Sequence, residues 1–271
     1  MQFKVVSFNI WDLPLFFVRN RKERIAALPA YLKSLDADII CLQESFDPQH
    51  RVFLKNAMGS DYHMAGGDGG GRRRFLMKNF DDTGGLVIFS KYPVIKNEFT
   101  PHNRLVHFAL GEFLGRKGCL TATVRTPVGD MEIINTHLHE ETPFRVDRAV
   151  RRHQLAGILR HVNDTQLPAV LVGDFNQDAL NHQEDFAELF ETTGFSHPLN
   201  PHSDHKPSFR PENPYVERWK NRTRGPKRFD YMLVRNLKHA GLSATYYEPQ
   251  ILPIPLSNHD PLLLTLSHTA T

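Results

Sequence analysis

Residues 169–176 read AVLVGDFN, and this stretch shows the arrangement on which the fold prediction rests. Its first half is a continuous apolar run, which is typical of a strand buried on both faces. The run ends at Gly173 and Asp174, and Asn176 follows shortly after. The stretch therefore predicts a buried strand, Ala169–Gly173, with polar side chains at its end.

The same arrangement recurs along the chain. Four other apolar segments end in a polar cluster and a fifth cluster opens a strand: Ser7-Phe8-Asn9, Gln43-Glu44, Thr136-His137-Leu138-His139, Ser257-Asn258-His259-Asp260 and, opening a strand, Phe229-Asp230-Tyr231. A single polar residue after a strand is most often part of a turn. Strand ends gathered at one edge of a sheet form a site, and this set of clusters favours one shared site over unrelated turns.

Short apolar segments predict most of the remaining secondary structure. Strands are predicted at Lys4–Ile10, Asp38–Gln43, Gly85–Ser90, Gly118–Arg125, Met131–His137, Arg228–Arg235, Leu242–Tyr247 and Leu262–Leu266. Of these, the two strands flanking Pro127 and Gly129 are expected to form a hairpin. Apolar residues at helical spacing predict helices over Asn20–Leu35 and Pro143–Val162. Pro29 predicts a kink in the first helix, or a later start. Many strands with few helices predict stacked sheets flanked by helices, an α/β or α+β fold.

Length and composition describe a globular chain. It has 271 residues, 40% hydrophobic and 23% charged, with a formal net charge of +3, which excludes disordered and fibrous classes. No linker divides it, so we expect a single domain over residues 1–271. No apolar run approaches the roughly 20 residues of a membrane span. No export signal is visible, which favours the cytoplasm, although removal of a signal would make the protein secreted. Two cysteines do not form a disulfide framework.

Several motifs carry a resemblance to a known family. They are FNIWDLP at 8–14, GGLVIFSKYPV at 84–94, THLHEE at 136–141 and RFDYMLV at 228–234. In this order the chain resembles the endonuclease/exonuclease/phosphatase superfamily, with its deoxyribonuclease-like fold, from Phe8 to Leu266. Within it, the segments are most similar to neutral sphingomyelinases. The resemblance implies a four-layer α/β sandwich, in which helices flank two packed, mostly antiparallel sheets. It also implies a Mg²⁺-dependent phosphodiester hydrolase, with Mn²⁺ or Ca²⁺ as alternative ions.

The resemblance also implies catalytic roles. His259 matches the catalytic histidine of the family, and Asp230 matches the carboxylate that orients it. Asp174 and Asn176 match residues that position the nucleophile or leaving oxygen and bind a phosphate oxygen. His137 matches a histidine that donates to the non-bridging oxygens. Whether Asp174 or His259 removes the proton from water stays open.

For the metal, the resemblance implies Glu44 as ligand, with Asn9 beside it. A hard cation prefers carboxylate and amide oxygens. One position departs from the family pattern, because Asn258 stands where the family usually has Asp. An asparagine keeps the carbonyl oxygen and loses the charge, so we expect weaker cation affinity. His137 and His139 could instead bind zinc, but no third ligand at motif spacing accompanies them.

Two segments are unusually basic. Ala65–Asn79 contains five glycines followed by three arginines, and it is expected to be either a surface loop or a mobile flap over an anionic substrate. Residues 216–228 hold six Lys and Arg residues against Glu217, which is typical of a solvated face or of a substrate contact. The candidate substrate-binding residues are Arg72, Arg73, Arg74, Arg224, Lys227 and Arg228.

Three hypotheses about the substrate remain. The first is a sphingomyelinase of the phospholipase C type, with the apolar residues 13–18 either touching a membrane surface or packing under the next helix. The second is a nuclease or a phosphoesterase for a soluble anion such as an inositol phosphate, favoured by the basic segments. The third is a weakly catalytic binding protein, favoured by Asn258 alone. The substrate is thus an anionic or zwitterionic phosphodiester, nucleic acid among them, and a monomer is expected.

Overall fold

The strands of the protein form two main sheets and a small ribbon. The computed structural model describes residues 2–67, 72–75, 78–81, 83–102, 115–140, 147–162, 166–178, 180–182, 193–199, 206–216 and 225–268. The strands within these ranges are β1 (Gln2–Asp12), β2 (Ile39–Ser45), β3 (His63–Ala65), β4 (Arg72–Phe75), β5 (Lys78–Asp81), β6 (Val87–Ser90), β7 (Val94–Pro101), β8 (Gly118–Thr126), β9 (Gly129–His137), β10 (Ala169–Asp174), β11 (Asp230–Arg235), β12 (Leu242–Pro249) and β13 (Leu262–His268).

Helices cover the outer faces of both sheets. The α-helices in the described ranges are α1 (Arg21–Ser34), α2 (Pro48–Met58) and α3 (Asp147–Val162), and two 3₁₀-helices span Gly59–Asp61 and Leu237–Ala240. Within these ranges, no helix combines the length and the apolar character that a membrane span requires.

The two main sheets pack face to face. One has the strand order β12-β13-β1-β2-β6-β3 and the other has the order β11-β10-β9-β8-β7. The core between them includes Val5 and Ile39 from the first sheet and Ile133 and Val172 from the second, all fully buried. Burial of a side chain of this size stabilises the fold by about 1.5–3 kcal/mol.

The flanking helices complete a four-layer sandwich. The helix pair α1 and α2 buries Leu28 and Leu54 against Phe8 of the first sheet. On the opposite side, α3 buries Ile158 against Leu171 of the second sheet. The fold expected from the sequence is therefore confirmed, since most strand pairs are antiparallel and helices lie outside both sheets.

Two parallel strand pairs decide where polar strand ends meet. In the first sheet β1 runs parallel to β2, and in the second sheet β9 runs parallel to β10. Parallel neighbours end at the same edge of a sheet, whereas antiparallel neighbours end at opposite edges. The carboxyl ends of all four strands are therefore available at one side of the sandwich.

The structure confirms the predicted strands and hairpin and corrects several details. Helix α1 starts at Arg21 and continues through Pro29, so the later start is wrong. Strand β11 starts at Asp230, two residues later than predicted. The loop predicted over Ala65–Asn79 is wrong in part, because β4 and β5 pair there as an antiparallel ribbon. Residues 143–146 of the second predicted helix lie outside the described residues.

Sequence analysis missed α2 and the edge strand β7. A local signal for α2 existed, because Asp47 precedes Pro48 and accepts a hydrogen bond from the Gln49 amide at 2.9 Å, as an N-cap does. Strand β7 is mostly exposed, so it lacks the apolar run by which buried strands were found. Cys41 and Cys119 are buried free thiols.

Candidate active site

Strand register places three functional side chains side by side. Asp174 at the end of β10 pairs with His137 of β9 on one side and with Asp230 of β11 on the other. Gly173 allows this close pairing, because a Cβ atom built there would lie 1.9 Å from the Thr136 carbonyl oxygen. A glycine is therefore required directly before Asp174.

A connection from the other sheet brings the fourth side chain to this edge. Strand β13 runs antiparallel to β1, so the loop before β13 lies at the carboxyl end of β1. Ser257 Oγ donates a hydrogen bond to the carbonyl oxygen of Asn9 at 2.6 Å and fixes that loop. Nδ1 of His259 then lies 2.8 Å from Oδ2 of Asp230. The predicted His–Asp pair is thus formed between the two sheets.

These residues form one connected group, which we call the carboxylate cluster: Glu44, His137, Asp174, Asp230 and His259. Asp174 Oδ2 is central, at 3.6 Å from His137 Nε2 and 3.7 Å from His259 Nε2. Two sets of donor atoms lie mutually within 4.8 Å, one from Glu44, His137 and Asp174 and one from Asp174, Asp230 and His259. Either set is dense enough to hold a divalent cation.

Asn9 orients the carboxylates of this cluster. Its Oδ1 accepts a hydrogen bond from the Trp11 amide at 3.0 Å, so its Nδ2 must face the other way. Nδ2 donates to Glu44 Oε1 and to Asp174 Oδ2, both at 3.0 Å. The sequence predicted Asn9 as a metal ligand. In the structure its carbonyl oxygen is engaged by the backbone, and Asn9 acts as a donor to the two carboxylates.

Glu44 has the properties of a metal ligand. Its backbone φ of 56° is left-handed, a strained conformation that is retained mainly at functional positions. Among the described residues, Glu44 Oε2 is buried without a hydrogen-bond partner. Burial raises the pKa of Glu44 to about 7. An unpaired carboxylate oxygen beside a second carboxylate fits a hard divalent cation.

Charge coupling links Asp174 to His259. Burial, and then the charge of Asp230, raise the pKa of Asp174 to about 6, against the opposing effect of His259. Burial alone would lower the pKa of His259, but the carboxylates of Asp230 and Asp174 raise it to about 9. In the metal-free cluster the imidazolium of His259 therefore supplies the positive charge that Asp174 and Asp230 require.

Asn176 and Lys117 border the cluster. The backbone amide of Asn176 donates a hydrogen bond to Asp174 Oδ1 at 2.9 Å, and Asn176 Nδ2 donates to the Leu138 carbonyl oxygen at 3.0 Å. Lys117 Nζ donates to the same carbonyl at 2.8 Å. Its charge opposes the pKa increase that burial imposes on Glu44 and Asp174. Sequence analysis missed Lys117, which precedes β8 and belongs to none of the polar clusters that end an apolar strand.

A neutral contact, which we call the amide link, joins the two sheets beneath the cluster. Gln43 Nε2 donates to Asn135 Oδ1 at 2.7 Å and to Ser7 Oγ at 3.0 Å. Asn135 Nδ2 donates to the carbonyl oxygens of Leu42 and Val87 at 2.9 and 3.0 Å. Gln43 directly precedes Glu44, and Asn135 lies two residues before His137. The link therefore fixes the distance between Glu44 and His137 of opposite sheets.

The predicted substrate-binding residues fall into three groups. Arg72, Arg73 and Arg74 lie in β4, with side chains outside the described part of the structure, and Arg224 lies outside it entirely. Lys227 Nζ lies 5.2 Å from the ring centre of Phe229, which itself packs beside His259. Arg228 is fully buried between two tyrosine rings, so its side chain packs in the interior, and its contact with substrate stays a prediction.

Other predicted positions have clear surroundings. Asn258 is buried, and its Oδ1 accepts a hydrogen bond from Ser257 Oγ at 3.2 Å. His139 Nε2 lies 3.0 Å from Asp147 Oδ1, away from the group that contains His137. The zinc hypothesis required both histidines at one site, so this separation disfavours it.

The apolar residues 13–18 divide between the core and the surface. Pro14 and Val18 are buried, whereas Phe16 is 98% exposed with its ring against Phe17. Pro14 and Val18 therefore pack as the core interpretation predicts, and contact of the segment with a membrane stays a prediction. A second apolar stretch, before the His259 loop, exposes Ile251 and Ile254.

Comparison with known proteins gives one family and one curated relative. The profile of the Endonuclease/Exonuclease/phosphatase family matches residues 6–259, which include the whole carboxylate cluster. The chain is 28% identical over 189 residues to an inositol phosphosphingolipids phospholipase C from Schizosaccharomyces pombe. That match covers 66% of this chain and 42% of the relative, so it spans less than half of the relative's length.

Solved structures share the fold over nearly the whole chain. Sphingomyelinase C from Streptomyces griseocarneus superposes with a TM-score of 0.74 at 18% identity, covering 98% of this chain and 99% of that one. Beta toxin from Staphylococcus aureus with bound magnesium ions gives 0.75 at 17%, covering 100% of both chains. D. rerio TDP2 complexed with single-stranded DNA product gives 0.71 at 17%, covering 98% and 99%. At these identities the similarity establishes the fold.

Proposed function

Since the chain belongs to the endonuclease/exonuclease/phosphatase family, we propose that it is a divalent-cation-dependent phosphodiester hydrolase acting at the carboxylate cluster. The observation that carries the proposal is the group of Glu44, His137 and Asp174, whose ligand atoms lie within 4.8 Å of one another, together with Glu44 Oε2, which has no hydrogen-bond partner among the described residues. Mg²⁺ is the ion we propose, because oxygen ligands dominate the set, and Mn²⁺ or Ca²⁺ are the alternatives. Glu44 and Asp174 are the residues that would hold it.

The residues in and beside the carboxylate cluster have distinct roles in hydrolysis. A bound divalent cation supplies Lewis-acid stabilisation of the phosphoryl oxygens. Asp230 holds Nδ1 of His259 and leaves Nε2 facing Asp174. With the charge of Asp174 balanced by a cation, one of the two carboxylates that favour the imidazolium would be neutralised, and Nε2 could take a proton from water. Water adds to phosphorus and the bond from phosphorus to the leaving oxygen breaks. That oxygen takes up a proton from solvent, which balances the proton that the attacking water gives to His259. His137 and Asn176 donate to the non-bridging oxygens.

The substrate we propose is a phosphosphingolipid, cleaved on the phosphorus side as by a phospholipase C. The name of the Schizosaccharomyces pombe relative and the fold shared with a sphingomyelinase support this choice. The exposed ring of Phe16 supports it further, because it follows the strand that carries Asn9, and cations at Arg19 and Lys22 are exposed beside it. An apolar residue among cations suits a lipid surface.

A second candidate is a nuclease or a phosphoesterase for a soluble anion. Lys227, next to the aromatic ring that packs on His259, is the observation that favours it. The fold is also that of a protein solved with a single-stranded DNA product. Binding by phosphate contacts would weaken steeply with salt, whereas binding through a lipid surface would not.

The deciding experiment measures hydrolysis of several substrates in parallel. Sphingomyelin vesicles, bis(p-nitrophenyl) phosphate, plasmid DNA, RNA and an inositol phosphate would each be incubated with Mg²⁺ or with chelator, beside the H259A variant. Chelator-sensitive release of phosphocholine, absent in H259A, is the expected result. Cleavage of only nucleic acid or soluble esters would instead identify the protein as a nuclease or a phosphoesterase for a soluble anion, the second candidate. No turnover of any of them would overturn the proposed activity and leave a binding protein.

Membrane contact has its own test. We expect F16S to lower the rate on sphingomyelin vesicles about tenfold and to leave hydrolysis of bis(p-nitrophenyl) phosphate unchanged, since only the former needs apolar contact with the bilayer. F53S, on the exposed side of α2, is the matched control and is expected to retain the vesicle rate. Equal rates for F16S and F53S on vesicles would remove residues 13–18 from the interface.

A further inference from the structure

A short segment outside the predicted motifs joins both halves of the His–Asp pair. Ser208 is fully buried, and its Oγ accepts hydrogen bonds from the backbone amides of Phe229 and Asp230 at 3.1 and 3.2 Å. The carbonyl oxygen of the same residue accepts a hydrogen bond from the amide of Asp260 at 2.7 Å. One serine thus fixes the start of the Asp230 strand and the loop that carries His259.

The next residue packs directly on the imidazole. The ring of Phe209 meets that of His259 edge to face, with ring centres 5.3 Å apart and an angle of 69°. The ring of Phe229 lies on the same imidazole at 6.3 Å and contacts Phe209 at 5.6 Å. The backbone of Phe209 is itself held, because it exchanges hydrogen bonds of 2.9 and 3.0 Å with Lys227.

The third residue anchors the chain immediately after His259. Arg210 Nη2 donates to Asp260 Oδ1 at 3.2 Å, and its Nε donates to Oδ2 of the same carboxylate. The carboxylate of Asp260 is nearly fully buried. A bidentate contact of this kind fixes orientation as well as distance, which a single hydrogen bond does not. The residues on both sides of the imidazole therefore have little freedom to move.

These contacts matter because the imidazole has few restraints of its own. Within the described residues, His259 has one side-chain hydrogen bond, from Nδ1 to Asp230. A single bond permits the ring to tilt about that axis and to move Nε2 away from Asp174. We propose that residues 208–210, here called the brace, are positioning residues. They keep the imidazole of His259 oriented so that its Nε2 faces Asp174. The inference rests on the proposed function, in which that atom carries the proton.

The first test compares two phenylalanine substitutions. F209L removes the edge-to-face contact and keeps a buried apolar side chain, whereas F195L makes the same change in the buried core behind the second sheet. We expect F209L to lower kcat about tenfold with KM changed by less than about twofold, since misplacement of a reacting group affects the chemical step. We expect F195L to lower the melting temperature by about as much as F209L does, and to keep the wild-type kcat. The conservative variant F209Y is expected to restore kcat.

A second readout does not depend on turnover. In metal-free protein, the Nδ1 proton of His259 that is hydrogen-bonded to Asp230 gives a downfield proton signal, identified by its loss in H259Q. We expect this signal to be lost to solvent exchange in F209L and retained in F195L. R210K keeps the positive charge and loses the bidentate contact with Asp260. We expect it to weaken the Nδ1 proton signal and to lower kcat about threefold, less than F209L does.

The two readouts separate the brace from the proposed function. Retention of both the Nδ1 proton and kcat in F209L and R210K would overturn the brace. Equal loss of kcat in F209L and F195L would assign residues 208–210 to stability alone. If the wild-type protein cleaves no phosphodiester while F209L still loses the proton signal, the positioning stands and the proposed function fails.

Discussion

The amide link and the carboxylate cluster lie one or two residues apart on the same strands, but the first is built from neutral amides and the second from charged groups. In the amide link, neutral groups of Gln43 and Asn135 donate to defined acceptors at 2.7 to 3.0 Å. In the carboxylate cluster, charged groups are buried, and Glu44 has a strained φ and a carboxylate oxygen without a partner among the described residues.

This difference separates stability from function. Buried amide groups that form hydrogen bonds contribute stability, and Gln43 Oε1, which has no partner among the described residues, is uncharged. A buried unpaired carboxylate oxygen costs more free energy in the absence of a cation, because it carries charge. The raised pKa values of Glu44 and Asp174, both caused first by burial, express that cost. The protein therefore holds its two sheets together with neutral groups and concentrates unfavourable charge one residue further along, where a ligand can compensate it.

The largest expected effect is that of a substitution in the carboxylate cluster. We expect E44Q to lower the rate of phosphodiester hydrolysis by about a thousandfold or more, because the side chain keeps its shape and loses its charge for the cation. The melting temperature measured in chelator should stay the same or rise, since a buried carboxylate is removed. A variant retaining at least about a tenth of the wild-type rate would contradict the assignment of Glu44.

The substitution N135L tests the contribution of the amide link to stability. The substitution removes three buried hydrogen bonds and leaves the carbonyl oxygens of Leu42 and Val87 without this donor. We expect the free energy of unfolding to fall by about 4 kcal/mol, measured by urea denaturation. N97L, at an exposed position on β7, is the control and should change it by less than about 0.5 kcal/mol. Equal effects in the two variants would show that the amide link is not a stabilising contact.

The pH dependence of stability tests the charge on His259. In metal-free protein its pKa is raised from 6.5 to about 9, so the protonated form is favoured in the folded state. The resulting stabilisation, about 3 kcal/mol, is fully present below pH 6.5 and is lost as the pH rises through 9. We therefore expect the difference in unfolding free energy between wild type and H259Q to decrease over that interval. A difference that does not change between pH 6 and pH 10 would show an unprotonated imidazole.

The smallest expected effect concerns Asn258, where the chain departs from the family pattern. We expect N258D to tighten Mg²⁺ binding about fivefold, or about 1 kcal/mol, because a carboxylate adds charge beside the cluster. Mg²⁺ titrations followed by activity and by melting temperature would measure the change. Identical titration midpoints for N258D and wild type would place position 258 outside the influence of the metal.

Much of the fold could be read from local pattern, and the family resemblance named all five residues of the carboxylate cluster. Continuous apolar runs identified strands such as Ala169–Gly173, because a strand covered on both faces must be apolar along its length. Exposed elements such as β7 gave no such signal. The burial of Arg228 gave no signal for a related reason, since the sequence shows the charge of a residue but not the tyrosine rings that bury it.

The sequence by itself determined the family, the positions of most strands along the chain and the residue types that meet at the site. Only the tertiary structure decided how those residues face one another: that Asn9 presents its amide nitrogen to Glu44, that Lys117 lies beside the cluster, and that Ser208 reaches Asp230 and the loop of His259. Local pattern reports burial within a few residues of a position. These contacts join positions 21 to 52 residues apart, and the strand pairing and loop packing that create them exist only in the folded chain.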